Sequence, residues 1–266
     1  MVPLAATGWF DTDSLPTLVT SIISIIIVLY VTYALRKREF KVRRIAGLAA
    51  VDDAVGRATE MARPVLYTPG WGGDIQRPTT IASLNILSHV ADKTAVYDCR
   101  LVFPTHDPVI MAVAQEVVHE SYMKAGYPDR YRPADIAYVS SSQFGYAAAV
   151  DGLLTRLKPA SVFLLGTFEA ESLILAETGN SINAIQVAGT DSTIQLSFFI
   201  VACDYTLIGE EVFAASGYLS GNKSILASIR AQDIMKVLIA AFILVAVVWV
   251  SVENLTGSTP DNWWVF

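Results

Sequence analysis

The sequence predicts an α/β domain, a largely parallel sheet flanked by helices, inserted between two transmembrane helices. Three observations predict it. Two uncharged apolar runs lie near the ends of the chain, all 19 Lys and Arg residues fall between Arg36 and Lys236, and the stretch between the runs alternates short β-prone segments with helical patterns.

The first run, Thr17 to Leu35, has 19 residues without a charge, enough to cross a hydrocarbon layer roughly 30 Å thick at about 1.5 Å per residue. The second, Val237 to Val252, has 16 and draws a further turn from Ile234 and Met235, with Lys236 snorkelling to the headgroups. A cleaved signal peptide would carry basic residues before its apolar core, whereas Asp11 and Asp13 precede this one. Arg36, Lys37, Arg38, Lys41, Arg43 and Arg44 follow it instead, which places its C-terminal end in the cytoplasm by the positive-inside rule. The expected organisation is an external tail over 1–14, a first span over 15–35, a cytoplasmic α/β domain with flanking helices over 36–233, a second span over 234–253 and an external tail over 254–266. Trp9, Phe10, Trp263 and Trp264 then fall at an outer interfacial belt. The chain is thus expected in the cell membrane as a two-pass protein with both termini outside and the lipid bilayer as a partner.

Within the domain, Ile45 to Ala62 reads as an amphipathic helix. The β-prone runs are Pro64 to Thr68, Ala95 to Phe103, Ile136 to Val139, Ser161 to Leu165, Ala184 to Val187 and Phe198 to Cys203. Helical patterns separate them over Thr79 to Ala91, Pro108 to Ala125, Gln143 to Leu157 and Glu169 to Glu177, and another follows over Glu210 to Leu219. Crossovers of helical length imply parallel strands covered on both faces, a Rossmann-like arrangement. Asp107 before Pro108 is a helix start, and Gly126 and Gly179-Asn180 are helix ends. From Ser224 the chain runs into the second apolar segment without Pro or Gly, as one unbroken helix.

Ligands of such sheets bind beyond the carboxyl ends of the strands. The turn Pro69-Gly70-Trp71-Gly72-Gly73-Asp74 supplies candidate loop residues in Gly70, Gly72 and Gly73, with Arg77 as the nearby cation, although neither GxGxxG nor GxxxxGK[ST] is present. Six carboxylates, Glu169, Glu171, Asp191, Asp204, Glu210 and Glu211, are candidate ligand-binding residues, placed at helix starts and strand ends. Each has a sufficient structural role in complementing a helix dipole. Together they predict an electronegative edge suited to a cation, an amine or a hydroxylated ligand. Pro159 to Asn222 carries seven acidic residues and no Lys or Arg, which argues against nucleic acid.

No catalytic set assembles. GxSxG and HExxH are absent, and none of His89, His106 and His119 adjoins a serine or cysteine of nucleophile-elbow type. No cofactor and no metal is expected. The two cysteines, Cys99 and Cys203, lie in apolar runs and read as buried thiols.

The segments Leu165 to Gly179, Ile185 to Asp191 and Ala202 to Glu211, with Met111 to Glu116, resemble the DUF6754 family of uncharacterised prokaryotic membrane proteins. The resemblance implies a bacterial or archaeal membrane protein and no catalytic residues. The expected function is a membrane-anchored, non-catalytic module that self-assembles as a homo-oligomer or scaffolds a larger membrane complex. The alternative is a small-ligand receptor or enzyme using the acidic edge.

Overall fold

A computed structural model describes residues 15–35, 46–221 and 223–256. It divides into two compact units, one from the flanking segments and one spanning 41–222. The basic residues between Arg36 and Arg44, residues 1–14 and 257–266, and with them the four tail aromatics, lie outside the described residues.

The flanking unit contains helices α1 (Leu15–Leu35) and α9 (Lys223–Thr256), which pack against each other. One helix among the described residues is long and apolar enough to cross a membrane, by length and composition: the 24 residues Ile225–Val248 of α9. In α1 the apolar stretch is the shorter Thr20–Tyr30, so among the described residues one helix, and not the expected pair, is of spanning length and composition. The α9 segment begins earlier than the expected Ile234 and includes an Arg230–Asp233 contact at 4.0 Å between neighbouring turns.

The central unit is an α/β fold. Helix α2 (Ala46–Glu60) leads to six strands, β1 (Val65–Thr68), β2 (Leu101–Thr105), β3 (Ile136–Tyr138), β4 (Ser161–Leu165), β5 (Ile185–Thr190) and β6 (Tyr205–Ile208). Helices α3 (Pro78–Val96), α4 (Pro108–Ala125), α5 (Gln143–Leu157), α6 (Glu171–Ser181) and α7 (Thr193–Ala202) connect them in turn, and α8 (Glu210–Ser220) follows β6. Every pairing is parallel, in the order β3-β2-β1-β4-β5-β6. The order reverses between β1 and β4, as in doubly wound dinucleotide-binding sheets.

Alternation along the strands builds two cores. Tyr67, Phe103, Phe163 and Leu165 face α2, α3, α4 and α8, whereas Leu66, Val162, Leu164 and Ala188 face α5, α6 and α7. Strands β1, β2 and β4 are buried along their whole length, hence their continuous apolar runs.

Three expectations are corrected. Ala95 to Phe103 is not one strand: Ala95 and Val96 close α3, and the strand is Leu101–Thr105. Phe198 to Cys203 is not a strand: Phe198 to Ala202 close α7, and the last strand is Tyr205–Ile208. Parallel neighbours need a long crossover, and a strand starting at Phe198 would leave too few residues after Thr190. Gly179 does not end α6 but lies buried inside it, where an added Cβ would come within 2.4 Å of Gln186 Oε1. Elsewhere the local signals hold. Asp107 Oδ1 accepts from Val109 N at 2.6 Å to open α4, and Gly126 at φ 85° closes it.

Candidate functional site

The crevice between β1 and β4 is built from the loops that leave their carboxyl ends, and the two loops are zipped together. Thr167 N donates to Pro69 O at 3.1 Å and Gly72 N donates to Thr167 O at 2.9 Å. Gly70 has φ +82°, and a Cβ there would sit 2.3 Å from Thr167 O. The glycines of the β1 turn are thereby accounted for by close approach of one loop to the other. Arg77, exposed, is the N-cap residue of α3 and makes no side-chain cap.

Glu171 fastens this arrangement. It is fully buried in the first turn of α6. Its Oε1 accepts from Trp71 N and from Glu169 N, each at 3.1 Å, and its Oε2 accepts from Gln143 Nε2 at 2.9 Å. Gln143 opens α5 and also reaches Glu169 Oε2 at 3.4 Å. Glu171 thus ties three loops together at a helix N-terminus, where charge and burial are compensated by donors.

His106 follows β2 at the same edge. Its Nδ1 lies 3.1 Å from Gly70 O, and because a carbonyl only accepts, Nδ1 carries the proton and Nε2 keeps its lone pair. Burial lowers the His106 pKa, opposed by the Gly70 carbonyl and by the Asp107 and Glu171 carboxylates. The rings of Trp71 and Tyr146 each lie 6.0 Å from the imidazole. Trp71 Nε1 donates to Ser141 O at 2.8 Å, and the Tyr146 hydroxyl bonds to Thr68 Oγ1. Burial pushes the Tyr146 phenol far up, so it stays protonated. The cluster therefore offers one neutral imidazole between two aromatic rings.

The other predicted carboxylates are spread along the edge. Asp191 is exposed and accepts from Thr79 Oγ1 at 2.6 Å, beside the start of α3. Glu210 and Glu211 open α8, and Glu211 Oε2 accepts from Ile208 N at 3.0 Å. Asp204 is the correction: because β6 begins at Tyr205, Asp204 precedes its strand and accepts from Gln186 N at 2.8 Å, at the amino end of the sheet. It does not share the edge with the rest. Among the described residues no three His, Cys, Asp or Glu side chains converge as metal ligands.

Sequence reasoning reaches the strand-end loops that carry His106, Gln143 and Thr167 but assigns those residues no role, and it misses Tyr146 and Thr80. The Thr80 and Thr167 hydroxyls are buried with no hydrogen-bond partner, and both lie within 3.1 Å of where a Gly73 Cβ would stand. The only sequence signal was position, since His106, Gln143 and Thr167 sit in loops at strand carboxyl ends. Cys99 is buried as expected, whereas Cys203 is half-buried, and burial pushes their thiols up to about 11 and about 12.

The opposite edge carries arginines. Arg63 Nε donates to Lys158 O at 2.5 Å at the end of α5, and Arg130 Nη1 donates to Ala95 O at 2.5 Å near the end of α3. Acids at helix N-termini and arginines at helix C-termini give the domain a charge polarity that follows the helix dipoles.

A family model described as a domain of unknown function (DUF6754) matches residues 5–260. No curated protein and no solved structure matches the chain.

Proposed function

We propose that this chain, which belongs to the DUF6754 family, is a membrane-anchored, non-catalytic α/β module that assembles with further copies of itself. The observation carrying this reading is an exposed apolar surface on α7 and β6. Helix α7 has no charged residue and exposes Ile194, Phe198, Ile200 and Val201, the last at 87%. Next to it β6 is an edge strand, paired only with β5, with Tyr205 and Ile208 exposed. A free strand edge beside exposed apolar side chains is a template for pairing with another chain. Antiparallel pairing of β6 with its own copy sets Tyr205 against Ile208 and keeps each Asp204 clear of the other.

The anchor in this reading is a two-span hairpin. Helix α1 has 21 residues, about 31 Å at 1.5 Å per residue, and exposes Ile25, Ile26 and Leu29 as α9 exposes Phe242 and Leu244. In this reading the domain is cytoplasmic and both termini lie outside, which the confinement of Lys and Arg to 36–236 supports, and the membrane is that of a prokaryotic cell, as the family resemblance implies. Mass photometry of the full chain in mild detergent tests the assembly. Oligomers are expected for the wild type and smaller particles for Val201→Glu, with thermal stability retained. A strictly monomeric wild type at micromolar concentration would sink the reading.

A second reading, a receptor for a small hydroxylated or cationic ligand at the carboxyl edge, is favoured by the unpartnered Thr80 and Thr167 hydroxyls. A thermal-shift screen with polyols, amines and divalent cations tests it. A shift abolished in Asp191→Asn supports the reading, and no shift from any of them defeats it.

A further inference from the structure

A cavity of about 450 Å³ opens at the amino edge of the sheet, remote from the carboxyl-edge loops. It lies where α2, α3 and α5 end and where β1 and β2 begin. Arg63, Arg100 and Arg156 line it, with Asp98 as the carboxylate among its lining residues. Each arginine is anchored from behind. Arg63 Nε donates to Lys158 O, Arg156 Nε donates to Gly152 O at 3.0 Å, and Arg100 spends Nε and Nη2 on Asp135 at 2.9 and 2.6 Å. Asp98 is engaged elsewhere, 3.3 Å from Arg130 Nε.

Capping helix carbonyls explains one nitrogen of Arg63 and one of Arg156. It does not explain the remainder. Among the described residues the Nη groups of Arg63 and Arg156 and Nη1 of Arg100 make no hydrogen bond to a protein acceptor; Arg100 is paired with Asp135 and Asp98 with Arg130, so the half-buried Arg63 and the exposed Arg156 are the lining charges without a carboxylate partner. Guanidinium forks held by their Nε groups are pre-organised donors, and their geometry and charge match phosphate oxygens. We infer that this cavity binds a phosphate-bearing anion, either a soluble pyrophosphate or phosphomonoester or the headgroup of an anionic lipid, through Arg63, Arg100 and Arg156. The site is independent of the assembly surface on α7 and β6, so either can fail without the other.

The test uses the full chain in phosphatidylcholine nanodiscs, with inorganic pyrophosphate in one arm and phosphatidate built into the disc in the other. Potassium chloride at equal ionic strength is the reference for both. Millimolar pyrophosphate is expected to raise the melting temperature by about 3 °C in the wild type and in Arg57→Gln, an exposed arginine outside the cavity. The rise is expected to disappear in Arg156→Gln, whose lost bond lies within its own helix, and to return in part in Arg156→Lys. A rise with pyrophosphate identifies a soluble source, and a rise with phosphatidate alone identifies a lipid, each supporting the site if Arg156→Gln abolishes it. No rise in either arm, or a rise that persists in Arg156→Gln, overturns the proposal.

Discussion

Glu171 Oε1 accepts the backbone N–H of Trp71 at 3.1 Å, a bond between residues 100 positions apart that joins the start of α6 to the turn after β1. The same carboxylate satisfies Glu169 N and Gln143 Nε2, and it is wholly shielded from water. Replacing it leaves three partly buried donors without their acceptor. Glu171→Ala is therefore expected to cost about 3 kcal/mol in denaturant unfolding, whereas Glu169→Ala, exposed and held by a longer bond, is expected to change stability far less. Equal effects would mean that Glu171 is not what fastens the loops.

Gly70 makes a sharper demand. Its φ of +82° is unfavourable for a side chain, and the new Cβ would lie 2.3 Å from the Thr167 carbonyl, which belongs to backbone. Gly70→Ala should lower stability by about 2 kcal/mol or more. Gly56, in α2 with nothing within 4 Å of a Cβ, provides the opposite case: Gly56→Ala should raise stability by about 0.5 to 1 kcal/mol. Paired urea melts of the two variants check the contrast.

These cases show where the sequence was readable. Asp107 and Gly126 were legible because a cap is decided within a few residues, and helices α4 and α5 and strand β4 were placed at their observed limits for the same reason. Phe198-Phe199-Ile200-Val201 was misread because its β propensity is local, whereas the requirement for a crossover between β5 and β6 comes from the sheet. Asp204 moved to the other edge with that strand. The Trp71–Glu171 bond was beyond reach, since nothing in either neighbourhood names the other. Glu171 could be picked out as a helix-opening carboxylate, but its burial and its partners could not.

His106 makes stability depend on pH. Burial holds its pKa below the ordinary 6.5, so the folded domain keeps the ring neutral while the unfolded chain takes up a proton more readily. Between the folded and unfolded values the unfolded state binds more protons, so the contribution is complete above pH 6.5 and is lost as pH falls through that value. Loss stops once pH is below the folded value. In His106→Asn this dependence should vanish, so the stability difference between wild type and variant should be constant above about pH 7.5 and should shift against the wild type toward pH 5. A difference independent of pH across that range would show that the imidazole titrates alike in both states.

The topology makes the last prediction. If both apolar helices span, a reporter on either terminus is reached from outside the cell, while the 46–221 domain is protected from added protease until the membrane is opened. The charge placement would be the physical cause: the tails carry Asp11, Asp13 and Asp261 with no Lys or Arg, whereas the basic residues between Arg36 and Arg44 resist transfer outward. If α9 alone spans, the two termini must report opposite sides. Neutralising Arg36, Lys37, Arg38, Lys41, Arg43 and Arg44 together should then weaken the orientation, because the remaining cations next to the second apolar run are Lys223, Arg230 and Lys236, in the first half of α9. A domain digested in intact wild-type cells would contradict the orientation directly.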